Sequence, residues 1–352
     1  MRDRKREWPG APRLDGSAVR RACGTPRPPA MLAFAVAAGV MGCTETFDAG
    51  SSPPGLLPVD ERNPIVLIND SNYDNWHGEY AVLLANSGGP SLAGIVIGTS
   101  PNATDIDANV SEWRSLVAAA RASGLANIPD PIASIGPPLV RPASGDIDAT
   151  VANRSEGALF IVNESARRSL PYRPLVVQTG GRLTDVADAY LIDPTVVDRV
   201  VIVSSVGSLS ASGAVMSRPN GEMDPWADTI VTSRFRYVQI SAYYDQLTDV
   251  PAARVSELPK NAFGSWIAAK QPGIWSTPQA GDQGGVAVLG IPGFASAVER
   301  ASAAGPVAAG ASAGPDLTVS PEGTLWLVTR VAGTVATDRF WQLLLDPATF
   351  AH

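Results

Sequence analysis

Apolar runs of strand length alternate with helical patterns from Pro64 onward, and this alternation limits the fold more than any other feature. Ile65–Ile68 is the first run. A helix over Glu79–Asn86 follows, with Tyr80, Leu83 and Leu84 turned inward. Leu92–Ile97 is again continuously apolar, and Asp107–Ala122 places Val110, Trp113, Leu116 and Val117 on one helical face. The pattern continues with a helix within residues 150–169, a strand over 175–178 and a helix over 183–192. Strands over Val200–Val203 and Tyr237–Ile240 complete it. Strands apolar on both faces are those of a parallel sheet covered by helices. The expected fold is therefore α/β, a Rossmann-like open, mostly parallel sheet with helices on both faces. Leu317–Val319 and Leu325–Val331, separated by Pro321-Glu322-Gly323, predict a C-terminal β-hairpin, and Ala301–Pro315 a flexible loop.

Composition narrows the function. Hydrophobic residues make up 45% and charged residues 17% of the 352 positions, which is enough apolar material for a packed globular body. The net charge of −7 argues against nucleic acid as the main partner, because phosphate backbones need a basic face. The two cysteines, Cys23 and Cys43, both precede the globular part, and the two histidines, His77 and His352, are too few for a zinc cluster. A metal here would need oxygen ligands, which favours calcium or magnesium.

Residues 1–43 read as an export signal. Arg2, Arg4, Lys5 and Arg6 begin a basic stretch, and Met31–Gly42 is a short apolar run too short to span a bilayer comfortably. Val40-Met41-Gly42-Cys43 resembles a bacterial lipobox, with Cys43 as the acylated residue of an envelope lipoprotein, periplasmic or at the cell surface. An ordinary signal peptide, or a true start at Met31, is the alternative. Residues 44–62, rich in Gly, Ser and Pro, read as a flexible tether, and residues 63–352 as one domain.

The segment Val177-Gln178-Thr179-Gly180-Gly181-Arg182-Leu183-Thr184-Asp185-Val186-Ala187 runs from strand through a glycine turn into a helix. Ligands of open α/β sheets gather beyond the carboxyl ends of the strands, and glycines let the backbone approach them closely. The first strand ends in the polar run Asn69-Asp70-Ser71-Asn72-Tyr73-Asp74-Asn75. If both strands share one parallel sheet, their polar ends converge.

Thr179–Ala187, followed by Asp193-Pro194 and Asp198-Arg199-Val200, resembles the Thr-Gly-Gly/Pro-Leu-Thr-Asn-hydrophobic-Ala segment of inosine–uridine-type nucleoside hydrolases. Asp70, Asp74 and Asn75 align with the second, third and fourth acids of that family's Asp-x-Asp-Pro-Gly-x-Asp-Asp loop. Asn102 aligns with its Gly-Asn, Asn220–Pro225 with its Asn-x-x-x-Asp-Pro, and Gly281-Asp282 with its His-Asp. The resemblance implies an exported hydrolase that cleaves an N-glycosidic bond of a ribonucleoside or related glycoside with a metal-activated water. It implies calcium held by Asp70, Asp74 or Asn75, the Thr179 carbonyl and Asp282. Asp70 would also be the catalytic base, while Asn102 and Asn220 would hold sugar hydroxyls. Members of the family often form homo-oligomers.

The departures define an alternative. Ile68 replaces the first acid of the loop, Ser71-Asn72 its Pro-Gly, Arg218 a usual Glu, and Gly281 the His that can assist the leaving base. A register without a gap before Asn102 would instead set Trp76 and His77 at the Asp-Asp pair. On this alternative the chain is a catalytically inactive, ligand-binding lipoprotein that keeps the fold. Taken singly, Asp70, Asn75, Asn102 and Asn220 are also ordinary turn residues, and Asp74 an ordinary solvated acid. His77 reads as an exposed loop histidine or, if it lines the crevice, as an acid that could protonate a departing base, and Trp76 and Trp226 as packing residues. Ser204 and Ser205 have no histidine to activate them.

Overall fold

The computed structural model describes residues 56–71, 76–205, 207–242, 252–274 and 282–351. The first half of this chain builds β1 (Ile65–Asn69), α1 (His77–Ala85), β2 (Leu92–Ile97), α2 (Ile106–Ala122), β3 (Pro131–Ala133), α3 (Glu156–Arg168), β4 (Leu175–Gly180) and α4 (Thr184–Ile192). The short α5 (Val196–Arg199), β5 (Val200–Ser204), β6 (Ser208–Leu209), β7 (Val215–Ser217), α6 (Pro219–Glu222), α7 (Pro225–Arg234) and β8 (Arg236–Ile240) follow. The chain ends with α8 (Ala262–Ile274), α9 (Gln283–Gly290), β9 (Ala295–Ala303), β10 (Leu317–Val319), β11 (Leu325–Val331) and α10 (Gly333–Leu345). No helix of the described residues is long and apolar enough to cross a membrane.

Nine strands form one sheet in the order β10-β9-β11-β8-β5-β4-β1-β2-β3, and every pair from β11 to β3 is parallel. The expected open, mostly parallel sheet is thus observed. The chain lays β1, β2 and β3 outward in one direction, then returns to place β4 on the other side of β1. The strand order reverses there, and this reversal opens a crevice at the carboxyl ends of β1 and β4. Their register sets Ile68 beside Thr179 and Asn69 beside Gly180.

Side chains alternate across each strand, and helices cover both faces. Ile65 and Leu67 of β1 pack with Leu83, Trp113, Phe263 and Phe340 from α1, α2, α8 and α10. Val66 and Ile68 pack on the opposite face with Ile161, Val186, Trp226 and Ile230 from α3, α4 and α7. Ile68, which stands where the resemblance expects an acid, is therefore a core residue of the α3–α4 face. Helix α2 starts under the Asp105 carboxylate, which accepts from the Asp107 and Ala108 amides, and α7 starts in the same way under Asp224.

Three expectations change. Leu317–Val319 and Leu325–Val331 do not pair with each other: β9 lies between them and is antiparallel to both. The Ala- and Ser-rich sequence of β9 hides its strand character, and Ala301–Ala303, expected in the flexible loop, belong to it. The end of that loop is held as well, because the Arg218 guanidinium donates to the Pro315 carbonyl. Helix α1 begins two residues earlier than expected, at His77, after Trp76 takes a left-handed conformation with φ 61°.

Glu79 is buried in α1. Burial pushes its carboxyl from an ordinary 4.5 up to about 7; Glu112 adds to the rise, while its own backbone amide and Lys270 oppose it. A raised carboxylate contributes its full stability below the unfolded value and loses it as pH climbs through the folded value. Glu79→Gln is therefore expected to stabilise the fold by about 3 kcal/mol above pH 7 and by little at pH 4.5. Urea denaturation at pH 4.5 and pH 8 checks this, and an equal gain at both would contradict it.

Candidate functional site

The crevice is built on two adjacent strand ends. The Thr179 hydroxyl donates to the Gly181 carbonyl at 2.8 Å and accepts from the Gly181 amide at 3.1 Å, which closes the turn after β4. The turn needs glycine for close approach. A Cβ on Gly180 would collide with the Asp282 carboxyl group, and one on Gly181 would lie 3.0 Å from Cβ of Asp70. Asp70 at the end of β1 and Asp282 just before α9 thus flank the Gly180-Gly181 backbone, and both are buried. Thr179 is buried in β4, and its carbonyl accepts from the Ser205 amide at 3.2 Å. A carbonyl retains a second lone pair in that arrangement.

The other expected residues fall in different places. Asn220 lies on α6, is buried, and donates to the Ser205 carbonyl at 3.3 Å, so it joins the same strand ends. Asn102 is exposed on the turn after β2. The buried amide beside that turn is Asn109 of α2, whose side chain donates to the Gly98 and Ala103 carbonyls. Asp74, Asn75 and Cys43 lie outside the described residues.

Beneath the carboxylates runs a buried polar network that the sequence pattern did not single out. The Asn69 amide nitrogen donates to Asp282 Oδ2 at 3.1 Å and lies 3.1 Å from His77 Nδ1. On the far side of the ring, His77 Nε2 meets Gln178 Oε1. An amide oxygen only accepts, so the network assigns the imidazole proton to Nε2 and leaves Nδ1 to accept from Asn69. The Gln178 nitrogen donates to Ser205 Oγ at 3.3 Å and to the Asp282 carbonyl at 3.5 Å, and Ser205 Oγ donates to that carbonyl at 3.2 Å. Asn69, His77 and Gln178 expose none of their surface. Burial drives the His77 pKa down to about 4, against the opposing Gln178 bond, so the ring is neutral at pH 7. His77 is thus no exposed loop residue. The signal for this network lay in period-two alternation, which puts Asn69 in line with Ile65 and Leu67, and Gln178 in line with Val176.

Arg218 is also committed elsewhere. It forms an ion pair with Asp228 at 2.8 Å, with both side chains buried. Burial still pushes the Asp228 carboxyl up to about 6, because desolvation outweighs the pull of Arg218.

As a place for a hard cation, the crevice offers oxygen atoms of the right kind, because the Asp70 and Asp282 carboxyl groups flank a backbone that a single Cβ would fill. Among the described residues no group of three or more His, Cys, Asp or Glu side chains could hold a metal ion. Gly180→Ala is expected to push Asp282 out of place and cost about 1–3 kcal/mol of stability. Thermal unfolding measures the cost, and an unchanged Tm would show that the carboxylate does not sit against the turn.

No protein-family model matches this chain, and no curated protein sequence does. Solved structures do. An inosine-guanosine nucleoside hydrolase superposes with a TM-score of 0.59 at 14% identity, over 80% of this chain and 98% of its own. An inosine-uridine preferring nucleoside hydrolase from Bacillus anthracis gives 0.55 at 16% identity, over 80% and 99%. A purine-preferring ribonucleoside hydrolase from Gardnerella vaginalis gives 0.55 at 18% identity, over 82% and 100%. The chain therefore has the fold of the nucleoside hydrolases, in a form far diverged in sequence.

Proposed function

We propose that this protein is an exported glycosidase that hydrolyses an N-glycosidic bond of a ribonucleoside or a related glycoside in the crevice between β1 and β4. One observation carries the reading: Asp70 and Asp282 flank the bare Gly180-Gly181 backbone at the point where the strand order reverses. Departure of a base leaves an oxocarbenium-like sugar, and two carboxylates beside it stabilise the developing positive charge. Asp70 accepts the proton of the attacking water. Asn220 binds a sugar hydroxyl. Asp70, Asp282, the Thr179 carbonyl and the Asp74–Asn75 loop would hold calcium, which when bound would acidify water and grip vicinal hydroxyls. The neutral His77 does not protonate the leaving base, since both its ring nitrogens are engaged below the carboxylates.

Release of free base or reducing sugar from a panel of purine and pyrimidine nucleosides is the direct assay. Asp70→Asn is expected to lower the rate by about 10²-fold or more. Turnover that survives this substitution would remove Asp70 from the mechanism.

A second reading, a binding protein without turnover, is favoured by Arg218. The resemblance expects a Glu there, and the guanidinium instead turns to Asp228 and Pro315. Saturable nucleoside binding in calorimetry, with no product from any substrate, would select it.

The N-terminal sequence supports attachment to an envelope membrane through Cys43. Expressed in a bacterium, the full chain is expected in the membrane fraction and Cys43→Ala in the soluble fraction. Equal partitioning of the two would remove the lipid anchor.

A further inference from the structure

We propose that His77 is a positioning residue that acts through Asn69 to fix the Asp282 carboxylate on the wall of the crevice. The inference rests on Asp282 being part of the ligand site. It adds a device that neither the fold likeness nor the acidic loop implies.

Bond direction carries the argument. Asn69 has one amide nitrogen with two hydrogens, and it meets two acceptors, His77 Nδ1 and Asp282 Oδ2, each at 3.1 Å. Nδ1 can accept only while the ring proton is on Nε2. Gln178 Oε1 keeps it there, and the Gln178 amide nitrogen is oriented in turn by Ser205 Oγ and the Asp282 carbonyl. The Asn69 oxygen accepts from the Ser71 amide at 2.9 Å, which fixes the other end of the carboxamide and forbids its flip. Each donor thus meets an acceptor, and the direction of every bond determines the next.

The network also ties three separate strand ends to the helix that carries His77. Asn69 ends β1, Gln178 lies near the end of β4, and Ser205 follows β5. His77 is the first residue of α1, and its ring is packed edge-on against Trp113 at 5.9 Å between centroids. Aromatic packing on one side and Gln178 on another leave the ring little freedom to rotate. Asn69 inherits that rigidity and passes it to Asp282, whose backbone carbonyl is held by Gln178 and Ser205 as well. Losing an outer partner of this kind typically weakens a metal-binding carboxylate about 10–100-fold, because the carboxylate must then be ordered at the cost of binding.

Three proteins test the proposal: the wild type, His77→Ala, and His77→Asn, whose side-chain oxygen replaces the Nδ1 lone pair. Calcium alone is titrated by calorimetry, and side-chain amide exchange of Asn69 is followed by ¹⁵N NMR. Far-UV circular dichroism confirms that each variant is folded. His77→Ala is expected to weaken calcium binding about 10-fold or more and to expose the Asn69 amide protons, whereas His77→Asn retains most of both. Imidazole ¹⁵N shifts of the wild type are expected to show the Nε2–H tautomer. An Nδ1–H tautomer, equal Asn69 protection in all three proteins, or equal loss in both variants would overturn the proposal. If the wild type binds no calcium, the metal reading of the crevice falls, and the Asn69 protection and the tautomer still decide the role of His77.

Discussion

The parallel pairing of β1 with β4 is the constraint on which the rest depends. Its register sets Asn69 beside Gly180 and brings Asp70 to the glycine turn. A slip of β1 by one residue would turn Asn69 onto the α3–α4 face and drive Ile68 among polar groups, since side chains alternate with a period of two. The apolar residues of β1 hold the register: Ile65 and Leu67 fill one core, Val66 and Ile68 the other. The cores that stabilise the fold therefore also determine where the carboxylates stand.

Burying so many polar groups at one place is costly unless all of them are satisfied. The network meets that demand with neutral groups. His77 stays uncharged, two carboxamides relay the bonds, and the Asp282 carboxyl group accepts an amide donor. The Arg218–Asp228 pair solves a similar problem with opposite charges. The upward push on Asp228 shows that burial there costs more than the pair's attraction returns. Arg218 also fastens the Pro315 loop to α6 and α7, which makes it a structural residue at a position where the resemblance expects a Glu.

The two readings of function differ in how they weigh these features. Retained carboxylates on a glycine cradle are the chemistry of glycosidic cleavage. A histidine bonded on both nitrogens is no longer a group that could assist a leaving base, and Arg218 is turned away to Asp228 and Pro315. Both readings need a crevice that receives a sugar.

The sequence by itself determined the alternation of strand and helix, and therefore the sheet. Long apolar runs such as Leu92–Ile97 and the helical spacing of Val110, Trp113, Leu116 and Val117 are local signals. It also raised the expectation that Asp70, Asp74, Asn75, Asn102, Thr179, Asn220 and Asp282 share one site, because their short motifs keep their order along the chain. Weak local signals failed: the alanine-rich β9 was invisible, so its neighbours looked like a hairpin. Only the tertiary structure decided that Asn69, His77 and Gln178 share a network. Their partners lie between 8 and 213 residues away, and no local pattern encodes which distant acceptor a buried amide will meet. Folding brings such groups together because the apolar faces on either side of them must be buried, and the polar atoms carried inward must then satisfy one another.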